Sequence, residues 1–468
     1  MQMDQTRRRF LVGSAATGTI ALAGCLGGDD DENGDENGDE DEFDYELDPE
    51  LEEGDGSYEL WALDQGRDNV FIYEPAVDDG DDEGEDGGDA EFALTEFINL
   101  NELDGLPDDG IVPHMIDYSS GYEYAAIACT AGARTLVFRT EDHELVADID
   151  TGAGSHMAAF SPDDEYIHVD AIDEGAIVRV EADLENEEFE VVDEIEVLED
   201  ETVQDAGVES GSPICHQFDS QGRSIHTLGP SYHDAGLVIV DHDEFEVTQA
   251  FSQDELPTNC GTMPHPTEDK FYLTAGLPSS EDEGVGAYYV LDTSGDEVTV
   301  EVEDESTEGI DAHGFWFTPD GEELWVLNRE TNDGVVVDPD TDEVIETIDE
   351  YGPNQADEPE ESDAPDIMWS SPDGEYMFVS LRGPAPLSGD PHAATGVEPG
   401  VAVLDTDTRE IVDVIEPHPI DDFDDDHIEL AQDDDEDGPR VPDFHAIGVR
   451  AIDDFDTVID TSPPFNAN

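Results

Sequence analysis

Histidine is the residue type of this chain best suited to chemistry, because 14 histidines stand beside a single lysine. Four of them share one place in a recurring sequence unit, at the beginning of a β-type stretch: His114, His156, His313 and His445. Neutral imidazole is the usual nitrogen ligand of zinc and copper, which take three or four N, O or S donors. The four histidines therefore predict a transition-metal site, with zinc as the first choice and copper as the second.

The same position holds other residue types in the remaining copies of the unit. It is Asp366 in one copy, Gly261 in another and Ile214 in a third, where His216 follows two residues later. Because side chains alternate along a strand, His216 is expected on the same side as Ile214. Asp366 and His216 thus join the candidate metal ligands.

Further polar residues fall in segments that should join the second and third strands of a unit, on the same face as the histidines. They are His226, His233, Arg329, Arg382 and His392. Two arginines beside imidazoles would also suit an anionic ligand, since guanidinium groups bind carboxylate or phosphate in a bidentate manner. A third interpretation makes the histidines structural, each bonded to the backbone of a neighbouring unit.

The elements that must position these residues follow from the repeat itself. Its marks are turns of the Ser-Pro-Asp-Gly type between two β-type stretches. The clear copies begin at Ser161, Thr318 and Ser371, and weaker copies begin at Ser119, Asp219 and Pro266. Successive copies start between 42 residues (Ser119 to Ser161) and 58 residues (Ser161 to Asp219) apart. That period is typical of a four-stranded propeller blade with variable loops.

The two ends of the repeat region complete the count of blades. Residues 57–100 supply three strands with no first strand before them, and residues 441–452 supply a first strand with none after it. Pairing the two ends makes a seventh blade and leaves no open sheet edge. We predict an all-β fold, a seven-bladed β-propeller over residues 57–452 whose C-terminal innermost strand closes the first blade. Two unrelated β-sandwiches would leave both end segments unexplained.

The repeat resembles the seven-bladed propellers of the YVTN/YncE type, which are similar to haem-d1 nitrite reductase and lactonase propellers. The resemblance rests on the Ser-Pro-Asp-Gly turns and on the hairpins at 334–348 and 400–415. It implies the fold, whereas these propellers serve as carriers, enzymes and scaffolds alike. An enzyme of the lactonase or haem-d1 type and an interaction scaffold are therefore the alternatives to a metal-binding protein. No Cys-x-x-Cys-His motif for covalent haem is present.

A weaker similarity to zinc-chaperone propellers of the AztD type implies zinc bound by histidines on one face. It also implies a metal transporter as partner, while a redox partner is the other possibility considered. The tether before the propeller lacks the His-rich arm of such chaperones.

The N-terminal segment indicates where the protein is located. The segment around Arg7 and Arg8 resembles a twin-arginine export signal, and Leu22 to Cys25 resembles a lipobox. We expect residues 1–25 to engage the twin-arginine translocase and Cys25 to carry lipid. The mature protein would then be held on the outer face of the cell membrane by its lipid anchor.

The charge of the chain bears on its surroundings. It has 128 Asp and Glu against 14 Lys and Arg, for a net charge of −114, which argues against a nucleic-acid partner. Such an acidic composition is typical of extreme halophiles, where salt screens the repulsion between carboxylates. Residues 26–56 are expected to form a disordered acidic tether and residues 453–468 a C-terminal tail.

Three cysteines remain if Cys25 is lipidated. Cys215 and Cys260 lie at nearly equivalent places on the first strands of adjacent blades, so either a disulfide or a pair of soft metal ligands is expected. Cys129 is expected to be a buried, inert thiol.

Overall fold

Seven antiparallel sheets of four strands each make up the computed structural model. The described residues are 47, 49–77, 91–107, 110–229, 236–258, 260–280, 283–356, 358–417, 419–420, 423, 425–432, 440–453 and 455. The inner strand of every sheet contacts the inner strand of the next sheet, and the inner strand of the last sheet contacts that of the first. The sheets are therefore blades of a closed ring, and the predicted all-β seven-bladed propeller is confirmed.

Blade 1 joins the two ends of the ring. Its strands, from the channel outward, are β28 (Phe444–Ala451), β1 (Tyr58–Asp64), β2 (Asn69–Pro75) and β3 (Phe92–Asn99).

The other six blades each use four consecutive strands. Blade 2 has β4 (Pro113–Tyr118), β5 (Tyr124–Cys129), β6 (Arg134–Arg139) and β7 (Glu144–Asp150); blade 3 has β8 (Ser155–Phe160), β9 (Tyr166–Ala171), β10 (Ala176–Asp183) and β11 (Glu188–Glu196); blade 4 has β12 (Ser212–Phe218), β13 (Arg223–Gly229), β14 (Leu237–Asp241) and β15 (Glu246–Phe251). Blade 5 has β16 (Thr262–Pro264), β17 (Lys270–Leu277), β18 (Val285–Asp292) and β19 (Thr299–Ser306); blade 6 has β20 (Ala312–Phe317), β21 (Leu324–Asn328), β22 (Asp333–Asp338) and β23 (Glu343–Ile348); blade 7 has β24 (Pro365–Ser370), β25 (Tyr376–Leu381), β26 (Gly400–Asp405) and β27 (Ile411–Ile415).

Short helices occupy connections between the described strands: α1 (Glu201–Asp205), α2 (Pro391–Ala394) and α3 (Asp425–Gln432). None of the helices in the described ranges has the length and apolar character needed to cross a bilayer. The predicted signal with Arg7, Arg8 and Cys25 lies outside the described residues.

The Ser-Pro-Asp-Gly turns are held by their own side chains. Ser161 Oγ donates to Asp163 Oδ1 at 2.7 Å and accepts from the Tyr166 amide at 3.0 Å. The same hydroxyl-to-carboxylate bond joins Ser371 to Asp373 at 2.5 Å. Because the side chains satisfy the polar groups of the tight turn, this motif recurs between the first two strands of the blades.

The core lies between and within the blades. Strands near the channel, such as β5 and β21, are buried along their whole length, whereas the outermost strand β11 is largely exposed. Trp316 of blade 6 stacks on Trp369 of blade 7 with ring centroids 4.1 Å apart. Apolar burial of this kind, at about 25 cal/mol per Å², holds neighbouring blades together.

A pairing irregularity near the beginning of the inner strands aims residues at the channel. The register between β4 and β5 shifts across His114, and the register between β8 and β9 shifts across His156. Similar shifts occur in the pairing of β12, β20, β24 and β28. A bulge leaves a residue outside the ladder and re-aims its side chain. The predicted histidine position is therefore a bulge position.

Ring closure can be tested at Gly66, in the turn between β1 and β2. A Cβ there would overlap the carbonyl oxygen of Val441, which leads into β28. We expect Gly66→Ala to lower the free energy of unfolding by more than about 2 kcal/mol in chemical denaturation. Gly121→Ala is the control, because its Cβ would meet only Glu123 Cγ at 3.8 Å. Equal stability of the two variants would contradict a tight closure.

Candidate metal centre

Three predicted histidines come together at the channel. The ring centroids of His114 and His156 are 4.0 Å apart, and the His445 ring stacks on His114 at 3.7 Å. They come from the inner strands of blades 2, 3 and 1. We call His114, His156 and His445 the channel group.

The tautomer of His114 is fixed by a chain of hydrogen bonds. The Asp443 carboxylate accepts hydrogen bonds from Arg382 Nε and from the Gly383 amide. Because an ionised carboxylate only accepts, the group that Gln65 presents to it at 2.6 Å is its NH₂. The Oε1 of Gln65 then accepts from His114 Nδ1–H at 2.8 Å. His114 Nε2 is consequently left with a lone pair, which is the form that binds a metal.

The other two rings also have their Nδ1 atoms engaged. His445 Nδ1 donates to the carbonyl oxygen of His114 at 3.1 Å, which leaves its Nε2, 3.7 Å from Asp366 Oδ2, unprotonated. His156 Nδ1 lies 3.6 Å from Cys215 Sγ, and His156 also hydrogen bonds to the backbone of Ile214.

The two Nε2 atoms of His114 and His156 face each other at 2.8 Å. In the metal-free protein the neutral Nε2–H tautomer of His156 can donate to the lone pair of His114 Nε2, and a metal ion between the two nitrogens would take the place of that proton. Burial, with the neighbouring imidazoles, holds the pKa of His114 well below its usual range, and burial lowers the pKa of His156 to about 4. Both imidazoles are therefore neutral at neutral pH, and neutral imidazole is the form that binds a metal cation.

Asp366 lies next to the channel group but is paired with other cations. Its Oδ2 accepts from Arg382 Nη1 at 2.6 Å, and its Oδ1 lies 2.8 Å from His313 Nδ1 and 3.6 Å from Arg329 Nη1. Burial alone would raise the pKa of Asp366, but these histidine and arginine neighbours, with His445, outweigh it and hold that pKa well below its usual range. Asp366 thus acts mainly as a buried counter-ion, and it brings His313 to the edge of the channel group.

The two arginines are already neutralised by carboxylates. Arg382 Nε donates to Asp443 at 2.8 Å, and Arg329 Nε donates to Asp311 at 2.8 Å. Both guanidinium groups are buried rather than presented to an incoming ligand. The expectation of arginine clamps for an anionic ligand is therefore not supported by this geometry.

His216 and His226 form a separate group between blades 3 and 4. His216 Nδ1 is 2.6 Å from Asp170 Oδ2, and His226 Nδ1 is 2.7 Å from Asp170 Oδ1. The register shift between Pro213 and His216 breaks the simple alternation that would have placed His216 with the channel histidines. His226 belongs to strand β13 instead of a loop. We call Asp170, His216 and His226, all with 0% exposure, the inter-blade group.

Among the described residues, two sets of side chains have ligand atoms within 4.8 Å of one another and could hold a metal: the inter-blade group, and His156 with Cys215 and Cys260. The three imidazoles of the channel group do not meet this distance together. Cys215 and Cys260 are joined as a disulfide, the first of the two alternatives expected for them. In this form their sulfurs are not thiolate ligands. Cys129 is a buried free thiol whose pKa burial raises well above its usual value, as suits an inert residue.

The remaining candidates lie elsewhere. His392, in α2, pairs with Glu360 at 2.6 Å, and His233 lies outside the described residues. Sequence reasoning missed Gln65, Asp443 and Asp170. For Asp170 a signal existed, since His168 and Asp170 are polar residues at alternate positions of a strand that is otherwise apolar.

Fold and site together define a seven-bladed β-propeller with groupings of histidine and aspartate that could hold a metal, of which the inter-blade group is fully buried. No protein-family model matches the chain, and no curated protein matches it. Among solved structures, a chain described as Kuenenia stuttgartiensis hydrazine synthase is similar, with 13% identity and a TM-score of 0.46 over 74% of this chain and 89% of that one. Similarity at this level does not extend to function.

The contribution of the buried charge pairs to stability can be tested. Arg382 has a fully buried side chain and serves both Asp366 and Asp443. We expect Arg382→Met to lower the free energy of unfolding by about 3–5 kcal/mol, because it removes the buried cation that both Asp366 and Asp443 share. Arg134→Met is the control, since it removes an exposed pair with Asp148 and should cost less than about 1 kcal/mol. Denaturation curves at constant high salt measure both, and similar losses would contradict the argument.

Proposed function

We propose that this protein is an exported, lipid-anchored propeller that binds a divalent transition metal, zinc first, at the channel group. The observation that carries the proposal is the close approach of two imidazole nitrogens, His114 Nε2 and His156 Nε2, at 2.8 Å in a part-buried position. In a tetrahedral zinc site with bonds of about 2.0–2.1 Å, two nitrogens stand roughly 3.3 Å apart, so a small opening of the pair accommodates the ion.

The third donor in this proposal is His445. Its ring stacks on His114, and its Nδ1 is already used by a backbone carbonyl, so Nε2 is the nitrogen available to a metal. The His445 ring must shift for this nitrogen to join the other two, because the three imidazoles do not have ligand nitrogens within 4.8 Å of one another. Three imidazoles leave one position of a tetrahedral ion open to water or to an exchangeable ligand. Such an open site suits a protein that takes up and passes on a metal, for which a transporter would be the partner.

Export and anchoring rest on the sequence motif alone. The twin-arginine pair Arg7 and Arg8 and the lipobox cysteine Cys25 would place the propeller on the outer face of the membrane. A twin-arginine substrate crosses the membrane folded, so the channel group would be assembled before export.

Metal analysis tests the channel site directly. We expect protein purified without chelator at high salt to bind zinc in the channel, and His114→Gln and His156→Gln each to lose one equivalent by mass spectrometry of metals. His392→Gln is the matched control, because His392 pairs with Glu360 outside the channel group. Full retention of zinc in both channel variants would refute the proposed site.

Gln65 gives a second test, as a positioning residue. Gln65→Leu removes the acceptor that holds His114 in the Nδ1–H tautomer, and we expect zinc affinity to fall about 10- to 100-fold. Nitrogen NMR of the imidazoles should show His114 losing its single tautomer, a signal that a merely structural role would not change. Gln249→Leu breaks hydrogen bonds between the outermost strand β15 and Val298, the residue before β19, and should alter neither measurement.

A further inference from the structure

We infer that the inter-blade group, Asp170 with His216 and His226, is a second and fully buried site for a divalent transition metal, separate from the channel group. In this role the ion would bridge blade 3, which supplies Asp170, and blade 4, which supplies both histidines.

The first support is the convergence of three donors from three strands. Each oxygen of Asp170 faces a different imidazole, at 2.6 Å for His216 Nδ1 and 2.7 Å for His226 Nδ1. The two rings stack with centroids 4.4 Å apart, so both Nδ1 atoms point to the same carboxylate. A carboxylate that offers both oxygens and two imidazole nitrogens together give an N₂O₂ donor set.

The second support is the charge of the group. A buried carboxylate is costly unless a cation pairs with it. Asp366 meets this requirement with Arg382 and Arg329, whereas the described ion pairs of Asp170 are with its two histidines. In the metal-binding form both imidazoles are neutral, so the group carries one negative charge at 0% exposure, which a divalent cation offsets.

The third support is a hydrogen-bond chain behind His226 that can accommodate the metal-bound form of that ring. Metal binding through Nδ1 requires the proton of each imidazole on Nε2, so protons relocate within the rings and none is lost. The Nε2 of His226 lies 2.8 Å from Ser224 Oγ, which can accept that proton's hydrogen bond and donate its own to His168 Nδ1 at 3.1 Å. His216 Nε2 is buried and has no hydrogen-bond partner among the described residues.

The donor set and its burial define the ligand. Two imidazoles and a carboxylate, with no thiolate, suit Zn²⁺ or another divalent ion such as Co²⁺, Mn²⁺ or Fe²⁺ more than Cu⁺. Because the donors have no exposure to solvent, the ion would be held in a closed, structural site and released slowly.

The test compares release kinetics and stoichiometry in full-length protein. After loading with Zn²⁺, excess EDTA should remove one ion quickly from the channel and one slowly, at least about tenfold slower, from the inter-blade group. We expect His216→Gln and Asp170→Asn to lose the slow ion alone and His114→Gln to lose the fast ion alone, with His392→Gln unchanged. The two proposals are therefore tested independently. If the channel proposal is wrong, a single slowly released ion remains, and its binding still depends on His216.

A direct measurement covers the case in which a variant does not fold. Anomalous diffraction at the zinc edge from wild-type crystals grown with Zn²⁺ should show a peak between Asp170 and the two imidazoles. A map without that peak, or full retention of the slow ion in folded His216→Gln, would overturn the inference and leave the three residues as a hydrogen-bonded cluster.

Discussion

The antiparallel pairing of β28 with β1 is the interaction on which the rest of the structure depends. It brings His445 and Asp443 from the end of the propeller against Gln65 and His114 from its beginning. Without this closure the channel group would lose one ring and the amide that fixes the tautomer of another. Closure also removes the free sheet edges that would otherwise invite association with another chain.

The interior solves the problem of buried charge in two different ways. Around the channel, Asp366 and Asp443 are compensated by Arg382, with Arg329 alongside. Between blades 3 and 4, Asp170 has imidazoles as its described ion-pair partners. The chain has a net charge of −114 and few cationic side chains. The carboxylates at the channel are neutralised by arginine, whereas the inter-blade group gains from binding a metal cation.

Much of the fold could be read from the sequence because it depends on local patterns. The turns at Ser161 and Ser371 close through bonds between residues two to five positions apart, so the motif itself reports the structure. The shared histidine position was also visible. The group that His216 joins could not be predicted, because a bulge depends on how a strand pairs with its neighbour and cannot be inferred from the alternation of side chains alone.

By itself the sequence determined the number of blades, their closure and the residue types available near the channel, since all of these follow from a repeat with short-range periodicity. Only the tertiary structure decided which of those residues share a site. Gln65 and Asp443, 378 positions apart, meet across the closing seam, and Asp170 reaches His216 and His226 from the adjacent blade. Contacts of this kind depend on the packing of one blade against the next, so the sequence can mark Asp170 as an unusual polar residue but cannot name its partners.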